Sequence, residues 1–344
     1  MPTIHEVAKR AGVASITASR VINNSGYASQ ETRQRVLDAA REMGYVPNRL
    51  ASSLRSRRTN VLALVLTDIT NPFFTVAARG VEDVANRAGY TVIFCNTDED
   101  SEKEKKYVEI LMQNRVDGVI LVPSDSDSKS VESLQQNGVP VVVIDRHIPS
   151  NTVDQVRCDS IGGAYQITRL LLSLGHRRIA LLNGPQRVST AADRLTGFKQ
   201  AMSELPILEN KTREPDFSQQ LILSGEFTRT SGYEMTQKAL AINPRPTALL
   251  AANNFIALGT LQALEENNIR VPQDMAVVTF DDLPEALVTS PFLTAAAQPV
   301  YEMAARAAEI LIGRLTNTNT TTFEEVVFPT HLILRKSSGN PIQS

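Results

Sequence analysis

The chain has 344 residues, 42% of them hydrophobic, which is longer than one core normally serves, so two or three domains are expected. Its formal charge of −2 is unevenly spread, because residues 1–60 hold ten basic and four acidic side chains while the remainder holds 25 and 33. No apolar run approaches the roughly 18 residues of a membrane span, and the two cysteines, Cys95 and Cys158, lack the paired spacing of a metal or redox site.

Three short helices are predicted at the amino end. Thr3 and Glu6 have the spacing of a capping box, which marks the start of the first helix. Gly12 supplies the tight turn before a second helix over 14–23, and the third helix runs from about 30 to 43. Helical spacing turns one face of the second helix outward, formed by Ser15, Ile16, Arg20 and Asn23. Three such helices around one small core are typical of a helix-turn-helix head that reads DNA.

This amino-terminal region closely resembles the head and hinge of the LacI family of bacterial transcription regulators. The resemblance rests on TIHEVAKRAGVASITASRVIN, which begins at Thr3, and on SQETRQRVLDAAREMGYVPNRLASSL, which begins at Ser29. It implies a double-stranded DNA operator as partner, read in the major groove by a homodimer on a palindromic site. The implied DNA-binding residues are Thr3, Ser15, Ile16, Thr17, Ser19, Arg20, Asn23, Tyr27, Asn48, Ala51 and Leu54.

Two positions in this region carry specific expectations. Ala14 departs from the family's usual capping serine, which should cost the second helix about 1 kcal/mol. Leu54 lies in a predicted two-turn helix that is too short to be stable alone, so we expect this segment to fold only when DNA and a symmetry mate hold it. The resemblance implies that Leu54 is a wedge pushed into the minor groove; an ordinary linker with one stray leucine is the alternative.

From Val61 onward, strands and helices alternate in two successive series, which is typical of doubly wound α/β folds. The first series runs to a strand at 140–144 and the second to a strand at 275–280. A strand at 294–299, a helix at 300–315 and a strand-like stretch at 324–334 indicate that the chain crosses between the lobes again. The resemblance covers nearly the whole chain and implies a two-lobed, periplasmic-binding-protein-like body of doubly wound parallel sheets, with three crossovers forming a hinge.

The predicted fold is therefore α/β with a small all-α helix-turn-helix head. We predict a DNA-binding head over 1–46, a hinge helix or linker over 47–60, an effector-binding body over 61–335 and a tail over 336–344. Within the body, the sequence assigns 61–161 and 293–320 to lobe 1, and 162–292 and 321–335 to lobe 2.

Ligands of open α/β sheets bind beyond the carboxyl ends of the strands. Polar residues follow several predicted strands there, and aromatic residues lie nearby, which suits a sugar-sized polyol. The resemblance adds two positions, Thr190 and Arg194, with which the family grips its effector. The predicted effector-binding residues are Phe73, Phe74, Asp145, Arg146, Thr190, Arg194, Phe227, Asn254 and Asp281.

The charge of the effector is a separate hypothesis. Asn254 stands where the family often has Asp, which removes a negative charge, and Arg146 adds a positive one. Arg229 would reinforce this if it faced the cleft. A sugar acid is therefore one hypothesis for the effector, beside a neutral carbohydrate.

Catalysis is not expected, because the chain has no G-x-G-x-x-G after its first strand, no Walker loop, no H-E-x-x-H and no G-x-S-x-G. No metal and no cofactor are predicted. The alternative function is that of a plain solute-binding protein, which is exported and has no DNA head. The chain shows no basic and apolar leader, so we expect a cytoplasmic, nucleoid-associated bacterial repressor.

Overall fold

The computed structural model describes residues 2–46, 58–127, 129–204, 221–284, 290–317 and 322–339. The chain divides into two compact units, a small one over Met1–Thr59 and a large one over Asn60–Ser344. Within the described ranges, no helix combines the length and the apolar character needed to cross a bilayer.

The small unit contains three helices, α1 (Ile4–Ala11), α2 (Ser15–Ile22) and α3 (Gln30–Glu42). Both halves of the predicted capping box are present, since the Glu6 amide donates to Thr3 Oγ1 at 3.3 Å and the Thr3 amide donates to Glu6 Oε2 at 2.6 Å. Gly12 follows α1 with a φ of 67°, in the left-handed region that favours glycine. The core is small and made mostly of Val and Ala side chains from all three helices.

The large unit alternates strands and helices. Its strands are β1 (Val61–Leu66), β2 (Thr91–Asn96), β3 (Gly118–Leu121), β4 (Val141–Ile144), β5 (Asp154–Cys158), β6 (Ile179–Asn183), β7 (Ile222–Ser224), β8 (Ala248–Ala251), β9 (Ala276–Phe280), β10 (Thr294–Ala297), β11 (Glu325–Phe328) and β12 (His331–Ile333). Its α-helices are α4 (Pro72–Arg87), α5 (Ser101–Gln113), α6 (Lys129–Gln136), α7 (Ser160–Ser173), α8 (Ser189–Ser203), α9 (Arg229–Leu240), α10 (Asn254–Glu266) and α11 (Val300–Thr316), followed by a 3-10 turn over Lys336–Ser338.

These strands form two six-stranded sheets of matching topology. The order is β2-β1-β3-β4-β5-β11 in lobe 1 and β7-β6-β8-β9-β10-β12 in lobe 2. All pairs are parallel except β10 with β12. Successive β1 residues point to opposite faces, so Leu62 and Leu64 pack against α4 and α11 while Ala63 and Val65 pack under α5 and α6. Helices therefore cover both faces of each sheet, as the alternation predicts.

The chain passes between the lobes three times, as expected for a hinge. The passages follow β5, β10 and β11. The predicted lobe boundaries in the tail are wrong, however. The strand within 293–320 pairs with β9 and so belongs to lobe 2, and β11, within 321–335, pairs with β5 in lobe 1. The stretch 324–334 is two strands because Pro329 has no amide hydrogen to continue the ladder.

Strand β5 is present where the sequence predicted none. It lies between β4 and β11, and its buried residues include polar ones. Asp154 is 1% exposed and its carboxylate accepts from both Nε and Nη2 of Arg314, at 2.7 and 2.6 Å. Because its polar groups are satisfied inside the protein, this strand lacks the apolar run by which a buried strand is recognised.

Candidate functional site

The first candidate site is the outward face of α2. Ile16 is 57% exposed, and Arg20 and Asn23 are exposed on the same side, whereas Ala18 and Val21 are buried. Ser15 is half-buried, and its Oγ lies 2.9 Å from His5 Nδ1. His5 was not predicted; the spacing of α1 and α2 gives no sign of this contact, which joins the first turns of two helices.

The remaining predicted DNA-binding residues differ in how much of their polar surface is free. Thr17 and Ser19 are half-buried, and Tyr27 is 92% exposed. The Thr3 hydroxyl is used in the capping box, and the Asn23 amide donates to the Ser19 carbonyl at 2.9 Å. Three predicted residues, Asn48, Ala51 and Leu54, lie outside the described residues, as does most of the predicted hinge.

The second candidate site is a cavity of about 350 Å³ between the two lobes of the large unit. It lies at the carboxyl ends of the parallel strands, where such sheets bind ligands. Eight of the nine predicted effector residues line it. The lining is Asp68, Thr70, Asn71, Phe73, Phe74, Asp98, Glu99, Asp145, Arg146, Thr190, Arg194, Phe227, Thr228, Asn253 and Asp281.

Aromatic rings form the apolar walls of this cavity. Phe73 and Phe74, in the first turn of α4, meet edge to face with ring centroids 5.0 Å apart. Phe227 comes from the opposite lobe and packs directly on Gly184, where an added Cβ would lie 2.2 Å from the ring. Gly184 is therefore required for Phe227 to reach its place, and the two lobes together present ring faces to a ligand.

Two carboxylates occupy equivalent positions in the two lobes. Asp145 follows β4 and Asp281 follows β9, with φ values of 68° and 66°, a conformation that non-glycine residues seldom adopt. Both are buried. Burial raises the pKa of Asp145 to about 6, although Arg146 and Arg194 act in the opposite direction, and burial likewise raises the pKa of Asp281 against the opposing charge of Arg194.

Arg194 is anchored from three sides. Its Nη1 donates to the Ala252 carbonyl at 2.7 Å, its Nη2 lies 4.0 Å from Asp281 Oδ2, and its guanidinium carbon stacks 4.0 Å from the ring centroid of Phe280. Only 4% of the residue is exposed. Its buried Nε has no hydrogen-bond partner among the described residues, so one directional donor of this side chain is unsatisfied.

Arg146 also lines the cavity, but its charge is already paired. Nη1 and Nη2 each donate to a carboxylate oxygen of Glu99 at 2.6 Å, and Nη1 donates further to the Pro123 and Ser124 carbonyls. Arg146 was predicted to add positive charge to the cleft. The structure places a bidentate counter-ion on it instead.

Asn254 does not line the cavity as predicted. It is fully buried at the start of α10, and its side-chain amide exchanges two hydrogen bonds with Asn71 of the other lobe, at 2.9 and 3.1 Å. Its neighbour Asn253 lines the cavity instead. Arg229 is exposed and donates to Gln262 at 3.1 Å, outside the cavity lining.

Further contacts join the two lobes near the cavity. The Ser189 amide donates to Ser126 Oγ at 2.7 Å, and His147 Nε2 lies 3.2 Å from Asp193 Oδ2. Together with the pair of asparagine amides, these bonds link lobe 1 to lobe 2. They are polar, as contacts between domains of one chain commonly are.

The predicted effector residues leave out seven residues of the lining, namely Asp68, Thr70, Asn71, Asp98, Glu99, Thr228 and Asn253. Thr228 and Asn71 cap helices, since each side chain accepts from a first-turn amide of α9 or α4. Glu99 follows β2, so the strand-end rule would have identified it had it been applied to that strand. The described residues contain no group of three or more His, Cys, Asp or Glu side chains that could hold a metal ion.

The arrangement suits a compact polyol. Carboxylates accept from hydroxyl groups, Arg194 donates, and aromatic faces cover the C–H surface of a sugar ring. These are the groups with which a binding site holds and orients a sugar ring.

Comparisons with known proteins cover both candidate sites. A family model described as "Bacterial regulatory proteins, lacI family" matches residues 3–48, and "Periplasmic binding proteins and sugar binding domain of LacI family" matches residues 59–336. The HTH-type transcriptional regulator DegA of Bacillus subtilis is 37% identical over 98% of both chains. The structure of a CelR–cellobiose complex has a TM-score of 0.72 at 32% identity, over 98% of this chain and 100% of that one. The lac repressor dimer bound to operator and the anti-inducer ONPF has a TM-score of 0.82 at 25% identity, over 98% and 99%.

Proposed function

The chain belongs to the LacI family of bacterial transcription regulators and carries that family's sugar-binding domain, and we propose that it is a repressor whose homodimer binds a palindromic operator under the control of a neutral carbohydrate. The observation that carries this proposal is the cavity between the lobes, lined from both sides by hydrogen-bonding side chains and aromatic rings. A ligand that touches both lobes stabilises one angle between them, and this is the physical basis for control.

The DNA-binding part of the proposal rests on α2. Ser15, Ile16 and Thr17 lie in its first turn, the part of a recognition helix that contacts base edges. Ile16 would contact a thymine methyl group, and Arg20 a guanine edge or a phosphate. The excess of basic residues in 1–60 supplies the phosphate contacts that give salt-dependent affinity.

The homodimer is supported by an exposed apolar edge. β2 is the outermost strand of the lobe 1 sheet, and its Ile93 and Phe94 are 37% and 44% exposed. An uncovered edge strand with large apolar side chains favours association with another chain, and a second subunit would bury these side chains. The similar lac repressor was solved as a dimer on its operator, and two heads would read inverted half-sites.

The choice of a neutral carbohydrate follows from the charges in the cavity. The lining holds five carboxylates and two guanidinium groups, and Arg146, on which the sugar-acid hypothesis rested, is paired with Glu99. Asn254, the other basis of that hypothesis, is paired with Asn71. The similar CelR was solved with cellobiose, a neutral sugar.

The test uses the full-length protein and two assays. Fluorescence anisotropy with palindromic duplexes selected from a random pool should show a preferred site whose affinity falls steeply with salt. Thermal shift against paired neutral sugars and sugar acids should identify stabilising ligands among the neutral ones, because a ligand that prefers the folded body raises its melting temperature. A chain that binds a sugar but no duplex would instead be a solute-binding protein.

The hinge hypothesis stays a prediction, because Leu54 lies outside the described residues. Leu54→Ala should weaken binding to the selected operator while leaving the sugar-induced thermal shift unchanged. Equal operator affinity in the variant and the parent would assign Leu54 to an ordinary linker.

A further inference from the structure

We propose that Glu99 sets the charge specificity of the cleft, because by occupying the fork of Arg146 it keeps carboxylate ligands out and admits neutral polyhydroxylated ones. This inference rests on the proposed function of the cavity as an effector site. In this proposal Glu99 acts through Arg146, because it determines which ligands Arg146 can bind.

The first step is the geometry of the pair. Arg146 is 3% exposed, and both of its terminal nitrogens donate to Glu99 at 2.6 Å. The guanidinium fork matches a carboxylate in two parallel hydrogen bonds, so Glu99 occupies the position that a ligand carboxylate would take. The side chain of Glu99 is 21% exposed and lines the cavity, so the pair lies at the ligand's surface rather than deep in the core.

The second step is the charge that an incoming anion would meet. The third nitrogen of the Arg146 guanidinium, Nε, is buried and lies 4.0 Å from Asp145 Oδ2. The other guanidinium in the cavity, that of Arg194, lies 4.0 Å from Asp281 Oδ2. A ligand carboxylate would therefore meet Glu99 and Asp145 at Arg146, whose fork is occupied, and Asp281 at Arg194. Like charges at short range in a site removed from water repel strongly.

The third step is the backbone that presents Glu99. Asp98 and Glu99 both have left-handed φ values, 55° and 60°, which are unfavourable for residues with side chains. The turn is held by an ion pair between Asp98 and Lys103, and by Asp100, whose Oδ1 accepts from the first-turn amide of Glu102 at 2.8 Å. Two consecutive strained residues are kept only where the surroundings fix them, and here they aim Glu99 at Arg146.

The test frees Arg146 and asks whether a simple carboxylate binds. The variant is Glu99→Gln, which keeps the size of the side chain and one acceptor oxygen but removes the charge. Acetate is titrated against chloride at constant ionic strength, and its dissociation constant is read from thermal shift. We expect Glu99→Gln to bind acetate at least about tenfold more tightly than the parent, which corresponds to about 1.4 kcal/mol.

Two further variants distinguish the effect of freeing the Arg146 guanidinium from the effect of removing one negative charge. Glu102→Gln removes the same charge from the exposed start of α5, outside the cavity lining, and should behave as the parent does. Glu99→Gln combined with Arg146→Gln should lose the acquired acetate binding. If Glu99→Gln does not fold, Glu99→Asp, whose shorter side chain cannot keep both contacts, should show a smaller gain in acetate affinity.

Three results would overturn the proposal: no gain in the Glu99 variants, an equal gain in Glu102→Gln, or undiminished acetate binding when Glu99→Gln is combined with Arg146→Gln. None of them requires the effector to be known. Each would leave the proposed function to its own test, which measures binding of sugars and of duplex DNA. If the protein bound neither, the proposed function would fail, and the acetate titrations would still show whether Glu99 blocks Arg146.

Discussion

At the scale of single residues, the cavity is built from groups that are costly to hold there. Asp145 and Asp281 combine buried carboxylates with left-handed backbone, and each has an arginine nitrogen 4.0 Å away rather than in a direct hydrogen bond. A carboxylate in such surroundings is stabilised when a ligand hydroxyl donates to it. The protein thus gives up stability in these residues for a site ready to bind.

Asp145 gives the first prediction at this scale. Its pKa is raised from 3.8 to about 6, so between these values the folded protein binds more protons than the unfolded chain and the free energy of unfolding falls as pH rises. The shift corresponds to roughly 3 kcal/mol lost above pH 6. Asp145→Asn should therefore raise the melting temperature at pH 7.5 and weaken the slope of stability between pH 4 and 6.

A surface carboxylate provides the control for this measurement. Asp127 lies beside Lys129 in an exposed ion pair, which contributes little to stability, so Asp127→Asn should leave the pH profile almost unchanged. If Asp145→Asn melted at the same temperature as the parent across this pH range, burial of Asp145 would not be costing stability.

Much of the cavity could be predicted residue by residue, and the exceptions have physical reasons. Asp145, Arg146 and Asp281 follow strands, so topology alone brings them to one edge. Arg194 comes from a helix and was found only through family resemblance. The pairing of Arg146 with Glu99 joins residues 47 positions apart and depends on a strained turn, which no periodic pattern in the sequence reveals.

At the scale of elements, α2 is less well anchored than its neighbours. α1 and α3 begin at Thr3 and Ser29, whose side chains accept from first-turn amides, but Ala14 at the start of α2 has no side chain that can do so. The helix has eight residues, too few to be stable without packing and caps. Order in α2 therefore depends on the small head core and on contact with DNA.

Ala14→Ser tests this weakness. A serine hydroxyl can accept from an amide of the first turn, so we expect α2 to gain about 1 kcal/mol of local stability. In hydrogen exchange of the full-length protein, α2 amides should become about fivefold better protected. The amides of α1, whose capping box is unchanged, are the internal control, and equal protection of α2 before and after the substitution would show that the missing cap does not limit it.

Among the strands, the first strand of the body has a continuous apolar run and was predicted, whereas β5 lacks such a run and was not. The first strand of the body was predicted to begin at Val61, as observed, because all six residues of Val61–Leu66 are apolar and both faces of its sheet are covered. β5 was missed because its charged and amide side chains find partners inside the protein. The tail was assigned to the wrong lobes because strand pairing there is set by the passages between sheets, not by local pattern.

At the scale of the molecule, the large unit consists of two lobes that enclose the cavity. The lobes are connected by three passages of the chain and by a few polar bonds, among them the reciprocal amide pair of Asn71 and Asn254. We propose that the bound sugar shifts the angle between the lobes and so the spacing of two hinge segments in a dimer. Coupling of this kind is typically worth about 1–3 kcal/mol.

The fold class and the regulatory family were predictable from the sequence because helix capping, strand–helix alternation and the distribution of charge all indicated the same architecture. The relatives confirm a transcription regulator rather than an enzyme. The effector's charge was less predictable, since it depends on which side chains neutralise one another across the cavity.

The most direct test of the account measures operator affinity with and without the stabilising sugar, in the parent protein and in Arg194→Ala. The sugar should change the operator dissociation constant of the parent by about 5- to 150-fold in one direction. Arg194→Ala should bind the operator as the parent does in the absence of sugar and show no change when it is added. The contacts of Arg194 with Ala252, Asp281 and the rings of Phe280 and Phe227 all lie within the large unit. An operator affinity in the parent that is the same at zero and saturating sugar would contradict the account.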